Sequence, residues 1–415
     1  MAKGFLHADD IPPSWPMYYL KPRDMLKNYL PVLGITVLTA FAVSCKKDGA
    51  PPPPPPPATQ ADIATVDNKI TQFMTTHNIP GASLAVSKNG KLVYMKGYGF
   101  ADQAANEKVT TDHRFRLASV SKTFTGVAIM KMVQDGRFPL DAKVFGPNGI
   151  LGTEYGTPPY NSNVSNMTVQ HLLQNVTGSW GGATGGDVID QNPSYTNVQL
   201  FNWILNTRPN PKTPGSFYDY SNINFWIAGR VIEKVSGKSY INFIKENVLA
   251  PLGITSVDIA GKTLAEKKPN EVRYYGQGSD ASYVYNIAFP RRDADGGLIS
   301  TSKDLLKFIA AIDGFNTRPD MLNSSSVTAL TTGSSVFPSY GLGIGIWSAQ
   351  NLWYNYGSLP GTRSAFMRHD NGMSAALIFN SRVNPSSETA FVQGMQSLVL
   401  DLVKNTYPWQ DIDQF

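Results

Sequence analysis

Apolar positions recur with two different periods along this chain, and each period predicts a different element. Between residues 62 and 77 they recur every three or four positions, which predicts an amphipathic helix. The next two segments, Ala82–Ser87 and Leu92–Gly97, have the composition of strands and are joined through Asn89-Gly90, a dipeptide typical of tight hairpin turns. The patterned part of the chain therefore begins with a helix and a β-hairpin.

Helices dominate the middle of the pattern, and strands return near its end. Helices are predicted at 119–134, 168–174, 197–206, 222–236, 240–248, 302–312 and, closing the chain, Glu388–Lys404. Strands are predicted at Gly341–Trp347, Ala365–Arg368 and Ser374–Phe379. This order predicts an α/β fold of the α+β type, in which both ends of the chain build one antiparallel sheet flanked by helices. A helical subdomain is inserted between those ends.

The first 45 residues have the character of an export signal. Leu30–Ser44 is uncharged and follows Lys27, and at roughly 15 residues it is shorter than the ~20 that a membrane-spanning helix needs. Because small residues precede Cys45, the segment resembles a bacterial lipoprotein signal, which implies that Cys45 is lipidated. The alternative is an ordinary buried cysteine after an apolar strand. Met25 is the better candidate for the translation start, so residues 1–45 are interpreted as an N-terminal extension and signal peptide.

A proline-rich linker, residues 46–60, follows this signal. Pro51–Pro57 is an unbroken proline run, which favours polyproline II and therefore a semi-rigid spacer. A docking ligand for a proline-binding domain is the alternative interpretation. Next to a lipid anchor, a spacer would hold the folded part away from the membrane. The expected location is the cell envelope, lipid-anchored, either periplasmic or surface-exposed.

Composition excludes several classes of protein. Hydrophobic residues make up 42% and aromatic residues 11%, so the chain can bury a sizeable core and is not mainly disordered. The net charge of +5 is spread over 36 basic and 31 acidic residues without a basic stripe, which argues against a nucleic-acid partner. One cysteine and five histidines exclude a disulfide framework and a thiolate-rich zinc site.

Candidate chemistry begins with Ser-x-x-Lys, which occurs three times. A spacing of three places both side chains on one helical face, where a lysine with a lowered pKa can take the serine proton. Ser44–Lys47 lies in the signal segment, and Ser300–Lys303 begins a helix in which Ser and Thr suit capping. Ser119 and Lys122 run directly into an apolar helix, so they are the candidate nucleophile and base. Helix capping alone is the alternative role of Ser119.

Tyr-x-Asn is the second candidate pattern, and it also occurs three times. Tyr240 falls inside a predicted helix and is interpreted as packing, and Tyr195 precedes another helix whose start it could shape. Tyr220 and Asn222 lie between the turn at Pro214-Gly215 and a predicted helix. Loop side chains in such a position can be presented to a cleft.

Three stretches together resemble one family. FRLASVSKTFTG, FYDYSNINFWIAGRVIEKVSG and YGSLPGTRS are similar to the motifs of the serine β-lactamase and penicillin-binding-protein superfamily. They most resemble its class C β-lactamase-related branch, with its DD-carboxypeptidases, D-aminopeptidases and family VIII esterases. The resemblance covers roughly residues 62–405, so residues 61–410 are predicted to be a β-lactamase-related serine hydrolase domain. It implies a sheet domain and a helical domain with the active site between them.

The resemblance also implies a role for each motif residue. Ser119 would be the acylated nucleophile and Lys122 its activator. Tyr220 would shuttle protons to and from the leaving group, and Asn222 would hydrogen-bond Lys122 and the substrate amide. The backbone N–H groups of Ser119 and Ser358 would form the oxyanion hole. No metal or organic cofactor is implied.

The third motif departs from the family pattern of Lys or His, a variable residue and Gly. Here Asn355-Tyr356-Gly357 occupies the corresponding substrate-binding positions. A neutral amide cannot become cationic, so we expect weak binding of substrate carboxylates and a preference for uncharged esters or amides. Asn175 also departs from the family, because it stands where a histidine is usual.

Two classes of function remain open on the sequence alone. The first is an active serine hydrolase that forms an acyl-enzyme with ester or amide substrates, D-amino-acid peptides or β-lactams at the cell envelope. The second is a catalytically weak or inactive lipid-anchored binding protein of the same fold. The expected partners are a small-molecule or peptide substrate and the membrane. Retention of Ser119, Lys122, Tyr220 and Asn222 favours the first class, and Asn355 favours the second.

Overall fold

The protein is described by a computed structural model that covers residues 60–182, 187–278, 281, 283–285, 287–383 and 388–415. The predictions for Cys45, the apolar segment before it and Pro51–Pro57 concern residues outside these ranges. In the described part no helix is both long enough and apolar enough to cross a membrane. Its α-helices are α1 (Ala64–Thr76), α2 (Ser121–Gln134), α3 (Ser162–Ser165), α4 (Val169–Leu173), α5 (Asn197–Thr207), α6 (Asn222–Ser236), α7 (Tyr240–Ile244), α8 (Ser302–Ala310), α9 (Ser324–Leu330) and α10 (Glu388–Lys404).

The strands form a seven-stranded antiparallel sheet in the order β3-β2-β1-β10-β9-β8-β7 and a small three-stranded sheet in the order β4-β6-β5. In chain order the strands are β1 (Gly81–Lys88), β2 (Lys91–Asp102), β3 (Glu107–Lys108), β4 (Phe115–Arg116), β5 (Asp258–Ile259), β6 (Leu298–Ser300), β7 (Gly345–Trp347), β8 (Leu352–Leu359), β9 (Thr362–His369) and β10 (Met373–Phe379). Strand β1 pairs with β10, so Leu84 lies opposite Leu377. The predicted sheet from both ends of the chain is confirmed.

Helices cover both faces of the large sheet, and this placement creates two large cores, beside a small third cluster that includes Ala118 and Leu359. One core includes apolar residues of α2, α4, α6 and α8, and the other joins α1 and α10 to the opposite face. Strands β9 and β10 are buried along almost their whole length. Burial on both faces explains the consecutive apolar residues Ala375–Phe379 in β10 and Ala365–Met367 in β9.

The predicted hairpin turn is confirmed, but two predicted elements are longer than those in the structure. Asn89 and Gly90 both adopt positive φ, 50° and 74°, as a two-residue hairpin turn of type I′ requires. The predicted strand at Gly341–Trp347 was too long, since only Gly345–Trp347 is extended. Helix α7 is also shorter than predicted, because a wider π-type turn at Lys245–Leu249 follows it.

Strand β8 was absent from the elements that the apolar pattern predicted. Its residues Asn355 and Gly357 are buried but are polar or lack a side chain. The strand therefore lacks alternating apolar residues at the positions that pack against the start of α2. Tertiary packing, rather than strand propensity, decides the structure of this segment.

Candidate active site

Ser119 lies in a single 3-10 turn, Ala118–Val120, immediately before α2. Ala118 has a φ of +47°, which is uncommon for a residue with a Cβ and is sustained only by surrounding structure. Both Ala118 and Val120 are fully buried, whereas Ser119 is partly exposed. The turn therefore anchors its flanking residues in the core and leaves the serine open to a cleft.

Lys122 lies in the first turn of α2 and is completely buried. Its Nζ is 3.1 Å from the Ser119 hydroxyl oxygen, and it donates to Asn222 Oδ1 at 2.7 Å and to the backbone oxygen of Asp295 at 2.7 Å. Burial penalises the ammonium form and lowers the pKa of Lys122 to about 7. A substantial fraction of this amine is therefore neutral near pH 7, within reach of the serine proton.

Asn222 is the first residue of α6, and a carboxylate from another segment holds this helix start. Ser221, which precedes the helix, makes no side-chain cap. Asp187 instead accepts hydrogen bonds from the backbone N–H groups of Asn222 and Ile223, the latter at 3.3 Å. An anion at a helix N-terminus satisfies free N–H groups and interacts favourably with the helix dipole. This contact orients Asn222 towards Lys122.

Tyr220 is almost completely buried, and its hydroxyl interacts with that of Ser119. Its ring centroid lies 5.0 Å from Lys122 Nζ. Burial raises the pKa of Tyr220 well above 10, because the phenolate would lose its hydration. The same burial that leaves Lys122 partly neutral thus keeps Tyr220 protonated. Lys122 is placed to act as a base and Tyr220 as a proton donor.

Strand β8 runs beside the Ser119 turn because Gly357 permits a very close approach. A Cβ at this position would lie 2.1 Å from the Leu117 backbone oxygen and 3.0 Å from the Ala118 side chain. Ser358 follows directly, and its hydroxyl accepts a hydrogen bond from Arg382 at 3.0 Å. Gly357 therefore brings the strand that carries Ser358 alongside the nucleophile turn.

The side chains of Asn355 and Tyr356 take supporting positions. Asn355 is fully buried, and its amide donates to Thr123 Oγ1 and to the Gly343 backbone oxygen, both at 3.0 Å. It also makes a longer contact of 3.4 Å with the Ser119 backbone oxygen. Tyr356 packs in the core that contains α1 and α10. The structure thus brings together four predicted site residues: Ser119, Lys122, Tyr220 and Asn222. It does not bring Tyr356 to them, and the Asn355 amide is hydrogen-bonded beneath α2.

The other matches to the two short patterns are engaged elsewhere. Ser300 is fully buried, and its hydroxyl donates to the Thr301 backbone oxygen at 3.0 Å. The hydroxyls of Tyr240 and Thr125 are hydrogen-bonded at 2.8 Å, below α2. Tyr195 is partly buried, and its ring lies 6.4 Å from that of Trp203. These contacts are structural.

Asn175, the second departure from the family pattern, links the Tyr220 loop to the interior. It is fully buried, and its Oδ1 accepts from the Ser221 backbone N–H at 3.2 Å and from Asn224 Nδ2 at 3.1 Å. Its own φ is +56°, a conformation that Asn tolerates better than most residues. Asn175 therefore supports the backbone that presents Tyr220.

Sequence reasoning missed the charged residues beneath Lys122. Asp187, Arg292 and Asp295 are all buried, and Asp187 comes from a segment more than 100 residues before the loop that carries Arg292 and Asp295. The one signal was the run of charges Arg291–Asp295 before two glycines, which a surface loop would equally explain. Within the described ranges no group of three or more His, Cys, Asp or Glu side chains is arranged to hold a metal ion.

The curated proteins that resemble this chain in sequence include protein flp and penicillin-binding protein 4*. Protein flp of Staphylococcus aureus strain N315 is 30% identical over 214 residues, which cover 52% of this chain and 41% of flp. Penicillin-binding protein 4* of Bacillus subtilis strain 168 is 23% identical over 352 residues, which cover 78% of this chain and 73% of that protein. The flp match thus spans less than half of that relative's length.

Solved structures resemble the fold. The D-amino acid amidase from Ochrobactrum anthropi SV3, complexed with L-phenylalanine amide, has a TM-score of 0.64 at 23% identity and covers 82% of this chain and 99% of its own. The octameric penicillin-binding protein homologue from Pyrococcus abyssi has a TM-score of 0.59 at 22% identity, covering 81% and 78%. The family model described as Beta-lactamase matches residues 66–394, a range that contains the Ser119 turn, Lys122, α6 and β8. This chain therefore belongs to the Beta-lactamase family and has the serine-hydrolase-type fold of penicillin-binding proteins and D-amino acid amidases.

Proposed function

We propose that this protein is a serine hydrolase that forms an acyl-enzyme on Ser119 with ester or amide substrates. One observation carries the proposal: the fully buried amine of Lys122 lies 3.1 Å from the Ser119 hydroxyl and is held by Asn222 and the Asp295 backbone. A buried lysine in this geometry has a pKa suited to general-base work near neutral pH. D-amino-acid peptides and β-lactams are the candidate substrate classes besides simple esters.

The geometry supports a two-stage reaction. Ser119 Oγ bonds to the substrate carbonyl carbon while its proton passes to Lys122, and the N–H groups of Ser119 and Ser358 bind the developing oxyanion. The bond to the leaving group then breaks, Tyr220 delivers the proton that the departing nitrogen or oxygen needs, and the proton held by Lys122 passes to Tyr220, so that both side chains return to their neutral forms. Water hydrolyses the acyl-enzyme through the same groups, which restores the Ser119 hydroxyl.

Substrate preference follows from the third motif. The Asn355 amide is neutral and is engaged by Thr123 and Gly343. This position therefore supplies no cation for a substrate carboxylate, which favours uncharged esters and amides over β-lactams and peptides with a free C-terminus. The same observation supports the second candidate, a catalytically weak envelope-binding protein of this fold.

The decisive test is covalent labelling of Ser119. A fluorophosphonate is expected to add one adduct, measured by intact mass and assigned to Ser119 by peptide mapping, and Ser119→Ala should lose it with little change in Tm. Ser300→Ala is the matched control and should label normally. The p-nitrophenyl acetate kcat/KM should exceed that for nitrocefin. An adduct on Ser300 contradicts the assignment of Ser119 as the nucleophile, and no adduct on any serine contradicts the hydrolase proposal and favours the binding protein.

Cell-envelope anchoring through Cys45 is a second part of the proposal. The apolar segment before Cys45 and the proline run after it support a lipid anchor and spacer. Cys45→Ala is expected to move the protein from the membrane fraction to the soluble fraction, measured by fractionation and by mass analysis of the N-terminal peptide. Cys45→Ala protein that stays in the membrane fraction, with no lipid on the wild-type peptide, would rule out the anchor.

A further inference from the structure

A layer of buried charge lies directly behind Lys122. Asp295 is completely buried, and its Oδ2 accepts from Arg292 Nε at 3.0 Å and Arg292 Nη2 at 2.7 Å. Arg292, itself buried, also donates through Nη1 to Asp190 at 2.7 Å. Buried ion pairs of this kind are costly to desolvate, and stability alone is a weak reason for them.

The layer touches the candidate base through Asp295. Lys122 Nζ donates to the Asp295 backbone oxygen at 2.7 Å, so the loop that carries the carboxylate also holds the amine in place. The second carboxylate oxygen, Oδ1, has no hydrogen-bond partner among the described residues although it is buried. An unsatisfied buried oxygen is unusual in a folded protein and requires an explanation.

Opposite charges in the layer act on Lys122 in opposite directions. Burial is the largest cause of the shift and lowers the pKa of Lys122. The Asp295 carboxylate raises this pKa, and the Arg292 guanidinium lowers it. The charged and titratable groups that face Lys122 come from four places: Ser119 beside α2, Asp187 and Asp190 from the segment before α5, Tyr220 from the loop before α6, and Arg292 and Asp295 from the loop before β6.

We propose that Asp295 and Arg292 are positioning residues for Lys122, acting as an opposed charge pair that governs how readily this amine accepts the Ser119 proton. The proposal rests on the function proposed above, in which Lys122 is the base. Asp295 favours the ammonium form of Lys122, and Arg292 limits that effect by neutralising the carboxylate. The unsatisfied Oδ1 then has a reason to be retained, since its charge acts on the lysine through the buried interior.

The test is the pH dependence of Ser119 labelling by a fluorophosphonate in the full chain. In this reaction the Oγ–P bond forms, the P–F bond breaks, fluoride leaves and the Ser119 proton passes to Lys122. The labelling rate should rise with pH as Lys122 becomes neutral. Asp295→Asn should move this rise to lower pH by about one unit, and Arg292→Gln should move it to higher pH by a similar amount.

Two further variants separate charge from structure. Arg292→Lys retains the cation and should restore the wild-type midpoint. Asp293→Asn is the matched control, because this neighbouring carboxylate pairs with Arg230 rather than with Arg292, and its midpoint should equal that of the wild type. A merely structural role would lower labelling at every pH without moving the midpoints in opposite directions.

The outcomes distinguish the two proposals. Wild-type protein that is never labelled at Ser119 contradicts the proposed function itself. Labelling with a clear midpoint that neither Asp295→Asn nor Arg292→Gln moves, or that both move in the same direction, overturns the charge-pair inference alone. If Asp295→Asn fails to fold, the upward shift in Arg292→Gln, reversed in Arg292→Lys, decides the inference.

Discussion

Burial shifts the pKa values of the two titratable side chains beside Ser119 in opposite directions, because it disfavours the charged form of each. Desolvation is the largest cause of both shifts: it lowers the pKa of Lys122 to about 7 and raises that of Tyr220 well above 10. Each side chain is therefore biased towards its neutral form. A neutral amine beside the Ser119 hydroxyl and a protonated phenol near the leaving group are the two states that acyl transfer requires.

Asn355→Ala tests whether this residue supports the fold or meets the substrate. The variant loses the two buried hydrogen bonds that the Asn355 amide donates to Thr123 and Gly343, which keep only the hydrogen bond between themselves. We expect a loss of about 1–3 kcal/mol in the free energy of unfolding, measured by urea denaturation. Asn316→Ala, at an exposed position, is the control and should change it by less than about 0.5 kcal/mol. Unchanged stability with selectively altered substrate preference would assign Asn355 to substrate binding instead.

At the scale of secondary-structure elements, the candidate active site forms where the start of helix α2 lies beside strand β8. Helix α2 is tied to the segment before β7 by Thr123, whose hydroxyl donates to the Gly343 backbone oxygen at 2.9 Å. Asn355 on β8 donates to the same oxygen. A single carbonyl thus links the helix, the strand and the segment between them, which holds the Ser119 turn at a constant distance from β8.

Gly357→Ala tests this close approach. The added Cβ would lie 2.1 Å from the Leu117 backbone oxygen, so β8 must move away from the turn and displace the Ser358 N–H. Loss of one oxyanion donor typically costs about 10²–10³ in rate, so we expect the Ser119 labelling rate to fall about 100-fold. Gly296→Ala is the control, since its Cβ would stay 3.7 Å from Ala118, and it should label at nearly the wild-type rate. Normal labelling of Gly357→Ala would contradict the assigned role of β8.

The whole molecule consists of a sheet between two cores, with several carboxylates buried around it. Asp313, after α8, is 4% exposed, and burial together with the nearby Asp320 raises its pKa to about 6. The folded state therefore binds this proton more tightly than the unfolded chain, whose aspartates titrate near ~3.9. Stability from this group is complete below about pH 4 and is lost as the pH rises through about 6.

Asp313→Asn should remove that pH dependence. Asn keeps an oxygen that can accept the Phe315 N–H, which donates to Asp313 Oδ1 at 2.8 Å. We expect the variant to gain on the wild type as the pH rises from about 4 to about 7, by an amount on the order of 2 kcal/mol in the free energy of unfolding. Chemical denaturation at several pH values measures the difference. Asp411→Asn, an exposed control, should parallel the wild type, and a parallel Asp313→Asn curve would show that the Asp313 proton does not contribute.

The sequence by itself determined the features that depend on local chemistry or on period. The Asn89-Gly90 turn follows from backbone conformations that few residues adopt, and helices α2 and α6 follow from long apolar segments. The spacing of Ser-x-x-Lys, together with the apolar helix that follows, selected Ser119 and Lys122 from three matches, because residues three apart at a helix start lie on one face. Only the tertiary structure decided the position of β8. Its residues Asn355 and Gly357 pack against the start of α2, so the strand lacks the apolar alternation by which a strand is predicted. The tertiary structure also decided the charge layer behind Lys122, since Asp190 and Arg292 come from distant segments whose meeting no local spacing encodes.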